Sequence, residues 1–280
     1  MSKSNSLNSD IKSMKLYRHV DRVLTELQYL GKSEQTPLSA SELSPFDQLH
    51  YHGTESVDEA IRATGITASS SVLEIGSGLG GPARHIAATA GAKVTALELQ
   101  NDQDELASHL SARCGLAEKV AHVCGDFLTD EWSTQYFDVI VSWLALYHIP
   151  ERNVLLERCY GLLQKGGYFF TEDLYARKEF TDWERSELAT ELFANCLPDY
   201  DTYLQDLKTA GFELVSAEEM SDDWAVFTRE RLAAYRAHKA RHIDVHGEAV
   251  FTAMEHFYDV VVRHFSGGKL GGIRIVARKA

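Results

Sequence analysis

One stretch carries residues whose types and spacing suit ligand chemistry: Val72-Leu73-Glu74-Ile75-Gly76-Ser77-Gly78-Leu79-Gly80-Gly81. An apolar run with one carboxylate breaks into alternating glycines, and the helix-compatible Pro82-Ala83-Arg84-His85-Ile86-Ala87 follows. The order reads as strand, tight turn, helix start. Glycine serves where the backbone takes positive φ or admits a ligand without a Cβ in the way. Such a turn at the end of a parallel strand is where open α/β sheets bind nucleotides. Glu98, at the end of the next predicted strand, suits hydrogen bonds from both ribose hydroxyls of an adenosine. Asp126, after a third strand, suits the adenine amino group, and Phe127 beside it offers an apolar ring contact.

A second set of residues suits an acceptor. His148 follows a fourth predicted strand, and its ordinary pKa of about 6.5 allows either proton acceptance or donation near neutrality. The alternative role for His148 is to cap a helix starting at Glu151. Trp143, Tyr147 and Trp224 suit an aromatic wall around a cation, or simple core packing. Tyr51 and His52, in the polar and aromatic run from Phe46 to Thr54, either position an acceptor or anchor their segment to the domain. His238, His242 and His246 recur every four residues, a metal-ligand spacing. Asp244 falls off that face and Arg236, Lys239 and Arg241 crowd it, so a solvated basic face is the expectation and no metal is expected.

These residues need elements to hold them. Helical spacing runs from Ser9 to Leu30, a short helical turn capped by Ser39 or Ser41 lies within Leu38–Asp47, and a helix spans Glu55 to Thr64. Strands are predicted at 72–75, 93–97, 120–124, 137–143 and 168–171, with helices at 81–89, 102–114 and 151–163 between them. Strands alternating with helices imply a parallel sheet covered on both faces. Further helices are predicted at 181–193 and 200–210, then a strand at 212–216. A largely helical run from 221 to 265, broken near Gly247, precedes a last strand at 273–277. A helical stretch that long between two strands reads as a cap inserted over the sheet's C-terminal edge.

Here the sequence resembles the class I S-adenosylmethionine-dependent methyltransferases, whose first motif, acidic-x-Gly-x-Gly-x-Gly, is matched by Glu74, Gly76, Gly78 and Gly80. Gly76, Gly78 and Gly81 also satisfy the Gly-x-Gly-x-x-Gly spacing of NAD enzymes, so the glycines alone do not discriminate. Glu74, Asp126-Phe127 and the final strand favour the methyltransferase. Ile75–Gly81, the pattern Ser142-x-x-Ala145-x-x-His148 and Ser221-Asp222-x-Trp224 are similar to small-molecule N-methyltransferases of the phosphoethanolamine group. Gly267 to Gly272 looks more like the sarcosine/dimethylglycine group. Leu144 replaces an acidic residue of the phosphoethanolamine enzymes, and Phe193-Ala194-Asn195-Cys196 replaces their Arg and Tyr phosphate clamp. The expected acceptor is therefore not a phosphobase.

The resemblance implies an α/β, Rossmann-like, mostly parallel seven-stranded sheet with helices on both faces. Expected boundaries are a tail and helical lid over 1–56, the core over 57–220, a helical cap insertion over 221–268 and the last core strand over 269–280. Expected cofactor contacts are Glu74, Gly76, Ser77, Gly78, Gly80, Glu98, Leu99, Asp126, Phe127 and Ser142, for S-adenosyl-L-methionine. Catalysis is expected of His148 and Tyr51, with substrate contacts at His52, Trp143, Tyr147, Tyr175 and Trp224. The expected reaction is methyl transfer to a small-molecule acceptor, an amine nitrogen first. The alternatives are S-methylation of a thiol or thioether, a non-catalytic S-adenosyl-ligand binding protein, and an NAD dehydrogenase.

Composition fits that picture. The 280 residues carry a formal net charge of −13, which disfavours a nucleic-acid partner. The Ser/Asn-rich start lacks the apolar core of a signal peptide, and no run is long and apolar enough to span a bilayer. Four scattered cysteines without CxxC spacing fit free thiols in a reducing cytoplasm.

Overall fold

The computed structural model of the protein describes residues 19–131 and 136–280. A seven-stranded sheet runs in the order β3-β2-β1-β4-β5-β7-β6. Its strands are β1 (Ser71–Ile75), β2 (Lys93–Glu98), β3 (Val120–Cys124), β4 (Phe137–Trp143), β5 (Leu163–Ala176), β6 (Glu213–Glu219) and β7 (Leu270–Arg278). The first five pair in parallel, and β7 runs antiparallel between β5 and β6.

The alternation of side chains along each strand creates two cores. Leu73, Ile75, Leu97 and Ile140 meet α6 (Arg152–Leu162) and α8 (Tyr200–Thr209) on one face. Val72, Val94, Ala96 and Val139 meet α3 (Thr54–Thr64) and α4 (Gly81–Ala90) on the other. A third cluster joins Val23 and Leu27 of α1 (Arg22–Tyr29), Leu43 of α2 (Ala40–Asp47) and Leu106 and Leu110 of α5 (Asn101–Arg113). A fourth lies under α9 (Ser221–Ala237) and α11 (Glu248–Ser266), which with α10 (Lys239–His246) between them join β6 to β7, and includes Leu188 of α7 (Asp182–Glu191).

Local signals explain most boundaries. Ser39 caps α2 with a reciprocal Glu42 capping box, and Thr181 with Glu184 does the same for α7. The predicted helix over 9–30 is helical from Arg22 to Tyr29, and its residues 9–18 lie outside the described ones. The fifth strand differs most from expectation, running fourteen residues instead of four. Gly166-Gly167 lies just past the end of α6, inside β5, where the pairing with β4 shifts register. Glu172 and Asp173, which read as loop residues, are buried because Arg274 answers one, at 2.7 Å, and the Tyr203 hydroxyl donates to the other, at 3.0 Å. The predicted helical run over 221–265 breaks twice, at His238 and Gly247. All four cysteines are free. No described helix is long and apolar enough to cross a membrane.

Candidate active site

A cavity of about 110 Å³ opens at the carboxyl ends of β1, β2 and β4. Its floor is the glycine turn. Gly76, Gly78 and Gly80 all take positive φ, a region open chiefly to glycine. The turn is tied to β2, because the Gly76 and Ser77 amides both donate to the Leu97 carbonyl at 2.9 Å. The Glu98 carboxylate accepts from the Gly78 amide at 2.8 Å and the Gln100 amide at 2.9 Å. Burial nevertheless raises its pKa.

Glu74 lies deeper, 2% exposed, and burial lifts its pKa well above the ordinary carboxylate range. Its Oε2 has no hydrogen-bond partner, and neither have Ser77 Oγ and Gln103 Oε1. All three residues line the cavity. Unanswered buried oxygens are costly, and a ligand bearing an ammonium and hydroxyls would satisfy them. The acceptor set therefore fits an amino-acid-bearing adenosine ligand.

The far wall is β4 and the turn after it. Trp143, Leu144, Ala145 and His148 line the cavity there. Leu144 holds φ at 50°, a strained value for a branched side chain and typical of functional turns. His148 Nδ1 donates to the Phe193 carbonyl at 2.9 Å, and burial lowers its pKa to about 4. The imidazole is thus neutral near pH 7, and its lone pair is on Nε2. Phe193 itself holds φ at 50°, so the carbonyl that fixes this tautomer sits in a strained turn. The turn is sewn to the histidine segment, because the Asn195 and Cys196 amides donate to the Tyr147 carbonyl and Asn195 Nδ2 to the His148 carbonyl.

The roof comes from the N-terminal segment. Asp47, Leu49 and His50 line the cavity. His50 packs its ring 5.6 Å from Trp143, donates from Nε2 to the Gly53 carbonyl, and is lowered to about 4 by burial. Asp47 is held by the fully buried Arg84 at 2.8 Å, so α2 is fastened to the helix that starts at the turn. A Cβ on Gly81 would come within 2.5 Å of the Asp47 carbonyl, so that glycine admits the roof rather than a ligand.

A second, larger chamber of about 430 Å³ adjoins the first and shares Leu49 and Gln103 with it. Its walls are mostly apolar: Val20 and Val23 from the first helix region, Phe46, Leu79, Phe193, and Met254 and Phe257 of α11. Its polar lining is His19, Arg22, Gln103, Thr190 and the pair Glu191 and His256, 3.1 Å apart.

Of the predicted site residues, Glu74, Gly76, Ser77, Gly78, Glu98, Leu99, Asp126, Phe127, Trp143 and His148 converge on the cavity. Asp126 Oδ1 also accepts from the Leu128 amide, and the Trp143 indole N–H goes to Ser56 Oγ. Seven lie elsewhere. Gly80 caps α4 behind the turn, and Ser142 Oγ donates to the Ile75 carbonyl, joining β4 to β1. Tyr51 is turned from the cavity onto Trp224, Phe227 and Phe265, with its ring edge-on to Trp224 at 4.9 Å. His52 reaches Asp223 of α9 at 2.6 Å. Tyr147 and Trp224 belong to the same cluster as Tyr51, and Tyr175 packs in the opposite core against Tyr200. In the 46–54 run the residues that line the cavity are thus Asp47, Leu49 and His50, not Tyr51 and His52. Residue type pointed to this run, but nothing periodic in it tells which neighbour faces inward.

The methyltransferase domain family matches residues 48–217. A sterol 24-C-methyltransferase of Eremothecium gossypii is 29% identical over 168 residues, 57% of this chain and 44% of that protein. The chain thus spans less than half the length of the curated relatives it matches. Among solved structures, phosphoethanolamine N-methyltransferase 2 of Haemonchus contortus, in complex with phosphomonomethylethanolamine and S-adenosylhomocysteine, superposes with a TM-score of 0.78 at 16% identity. It covers 100% of this chain and 61% of that one. A candidate sarcosine dimethylglycine methyltransferase from Galdieria sulphuraria gives 0.70 at 18% identity, covering 81% and 84%. The strand order, the carboxylates around the glycine turn and the family match over more than half of its length agree: this chain belongs to the methyltransferase domain family.

Proposed function

We propose that the protein transfers a methyl group from S-adenosyl-L-methionine to a small molecule seated between the cavity and the adjoining chamber. The observation that carries this reading is the meeting, in one cavity, of Glu74, Glu98 and the glycine turn with a neutral His148 on the opposite wall. Glu74 and the turn would hold the methionine end, Glu98 the ribose, and Asp126 with Phe127 the adenine. When bound, the sulfonium supplies an electrophilic methyl. The chain's own work is to aim an acceptor at it and keep water out. Residues 19–56 serve as lid and 221–268 as cap.

The acceptor is proposed to be an amine nitrogen, presented as the free base. An imidazole that titrates near 4 is too weak to strip an alkylammonium. Its Nε2 instead accepts a hydrogen bond from the neutral amine and turns the nitrogen lone pair toward the methyl. Phe46, Phe193 and Phe257 in the chamber accommodate an apolar body and favour a cationic product. A second reading, methylation at carbon, is favoured by the largely apolar chamber and by the relatives named sterol 24-C-methyltransferase. There the same Nε2 would take the proton lost after the new bond forms.

The test is titration calorimetry with S-adenosylmethionine, followed by methyl release over a panel of amines, thiols and apolar alkenes. Turnover of an amine whose rate rises as the pH rises toward the acceptor's own pKa supports the first reading. Turnover of an alkene alone supports the second. Tight cofactor binding without turnover on any acceptor would overturn both and leave a binding protein.

A further inference from the structure

The histidines of α10 acquire a partner that their own helix does not supply. His242 and His246 stand one turn apart, and Glu26 of α1 reaches them, so that a carboxylate oxygen and two imidazole nitrogens all lie within 4.8 Å of one another. Glu26 is 6% exposed and the His246 side chain 5%. Two imidazoles at i and i+4 with a carboxylate from a second helix form a donor set suited to zinc and its neighbours, with a fourth position left for water. Tetrahedral bonds of about 2.0–2.1 Å place ligand atoms about 3.4 Å apart, within reach of small side-chain adjustments here. His242 is already steered by its stack on Tyr235, 4.2 Å between centroids. None of the three residues lines the cofactor cavity or the chamber.

We propose that Glu26, His242 and His246 form a transition-metal site that clasps α1 to α10. Arg241 is the group that opposes it, since its guanidinium meets Glu26 Oε1 at 3.0 Å and Oε2 at 2.5 Å. His246 Nε2 also stands 2.8 Å from Oε1. A bound ion takes Oε1 and the two imidazoles, while Arg241 keeps Oε2, as ligating carboxylates are commonly held from outside the coordination sphere. Arg22, which acts on His242 through space, is a second cation near it among the described residues. Both work against hard ions held by charge alone, so the site selects metals that favour imidazole over magnesium or calcium. Arg22 and Val23 of α1 line the chamber together with Met254 and Phe257 of α11, so fastening α1 to α10 steadies its α1 wall.

The experiment titrates the metal-free full chain with Zn²⁺ by calorimetry and with Co²⁺ by visible absorption. One equivalent is expected to bind, with ligand-field bands appearing on Co²⁺ addition and Zn²⁺ raising the Tm. His242→Ala and His246→Ala should each weaken binding by about tenfold or more. His238→Ala should leave it unchanged, because that ring is spent on the Ala234 carbonyl. If an alanine variant fails to fold, His242→Gln and His246→Gln replace it, with S-adenosylmethionine binding as the check on the fold. Absence of saturable one-to-one binding, or its survival in the His242→Ala/His246→Ala double variant, overturns the proposal and leaves Glu26, Arg241 and His246 as an ion-pair clasp.

Discussion

His148 sits with Nδ1 on the Phe193 carbonyl and its ring out of water, and the same burial that keeps it neutral makes it a pH-dependent liability. The unfolded chain takes up a proton there below about pH 6.5, whereas the native ring stays neutral down to about 4. Stability from this group is complete above 6.5 and is lost as pH falls through that window. Denaturant melts of wild type and His148→Gln across pH 7 to 4 should therefore diverge. The wild type loses up to about 1.4 kcal/mol per pH unit relative to the variant. At Glu98 the prediction concerns affinity. The carboxylate that receives the Gly78 and Gln100 amides also faces the cavity. Glu98→Ala should weaken S-adenosylmethionine binding about tenfold or more in calorimetry.

At the scale of elements, α2 and the glycine turn depend on each other. Gly81 does not hold positive φ, so alanine there meets no backbone strain, but its Cβ would press on the Asp47 carbonyl. Gly81→Ala should push α2 off the turn, lowering cofactor affinity more than it lowers the Tm. Asp47→Ala is the harsher change, since it leaves the buried Arg84 without its counter-charge. A loss of about 3 kcal/mol in chemical denaturation is expected. Elements also show what was readable from residue order. The strands β1 to β4 and the cofactor-side residues were legible because a buried parallel sheet writes itself as short apolar runs ending in glycines and carboxylates. The length of β5 was not legible, because Glu172 and Asp173 look like loop residues until Arg274 and Tyr203, far along the chain, are seen to answer them. The roof failed for a related reason. His50 and Tyr51 are adjacent and similar in type, and tertiary contacts alone turn one onto Trp143 and the other onto Trp224.

At the scale of the whole molecule, the net charge of −13 gives the surface a field that attracts cations. If the amine acceptor reaches the cavity mouth as its ammonium and gives its proton to water there, kcat/KM should fall as salt rises toward ~0.15 M, where screening acts within about 8 Å. A neutral acceptor should show little change, so stopped-time assays at low and moderate salt separate the two. The strand order has a further consequence, for biosynthesis. β7 is translated after β6 yet occupies the slot between β5 and β6, pairing Glu172 with Arg274 across the sheet. While the ribosome is still making the cap, β6 has no neighbour to pair with and β5 carries an open flank. The nascent protein therefore carries two unpaired strand edges until its last strand arrives, and that interval is when it is most open to chaperones and to misassembly.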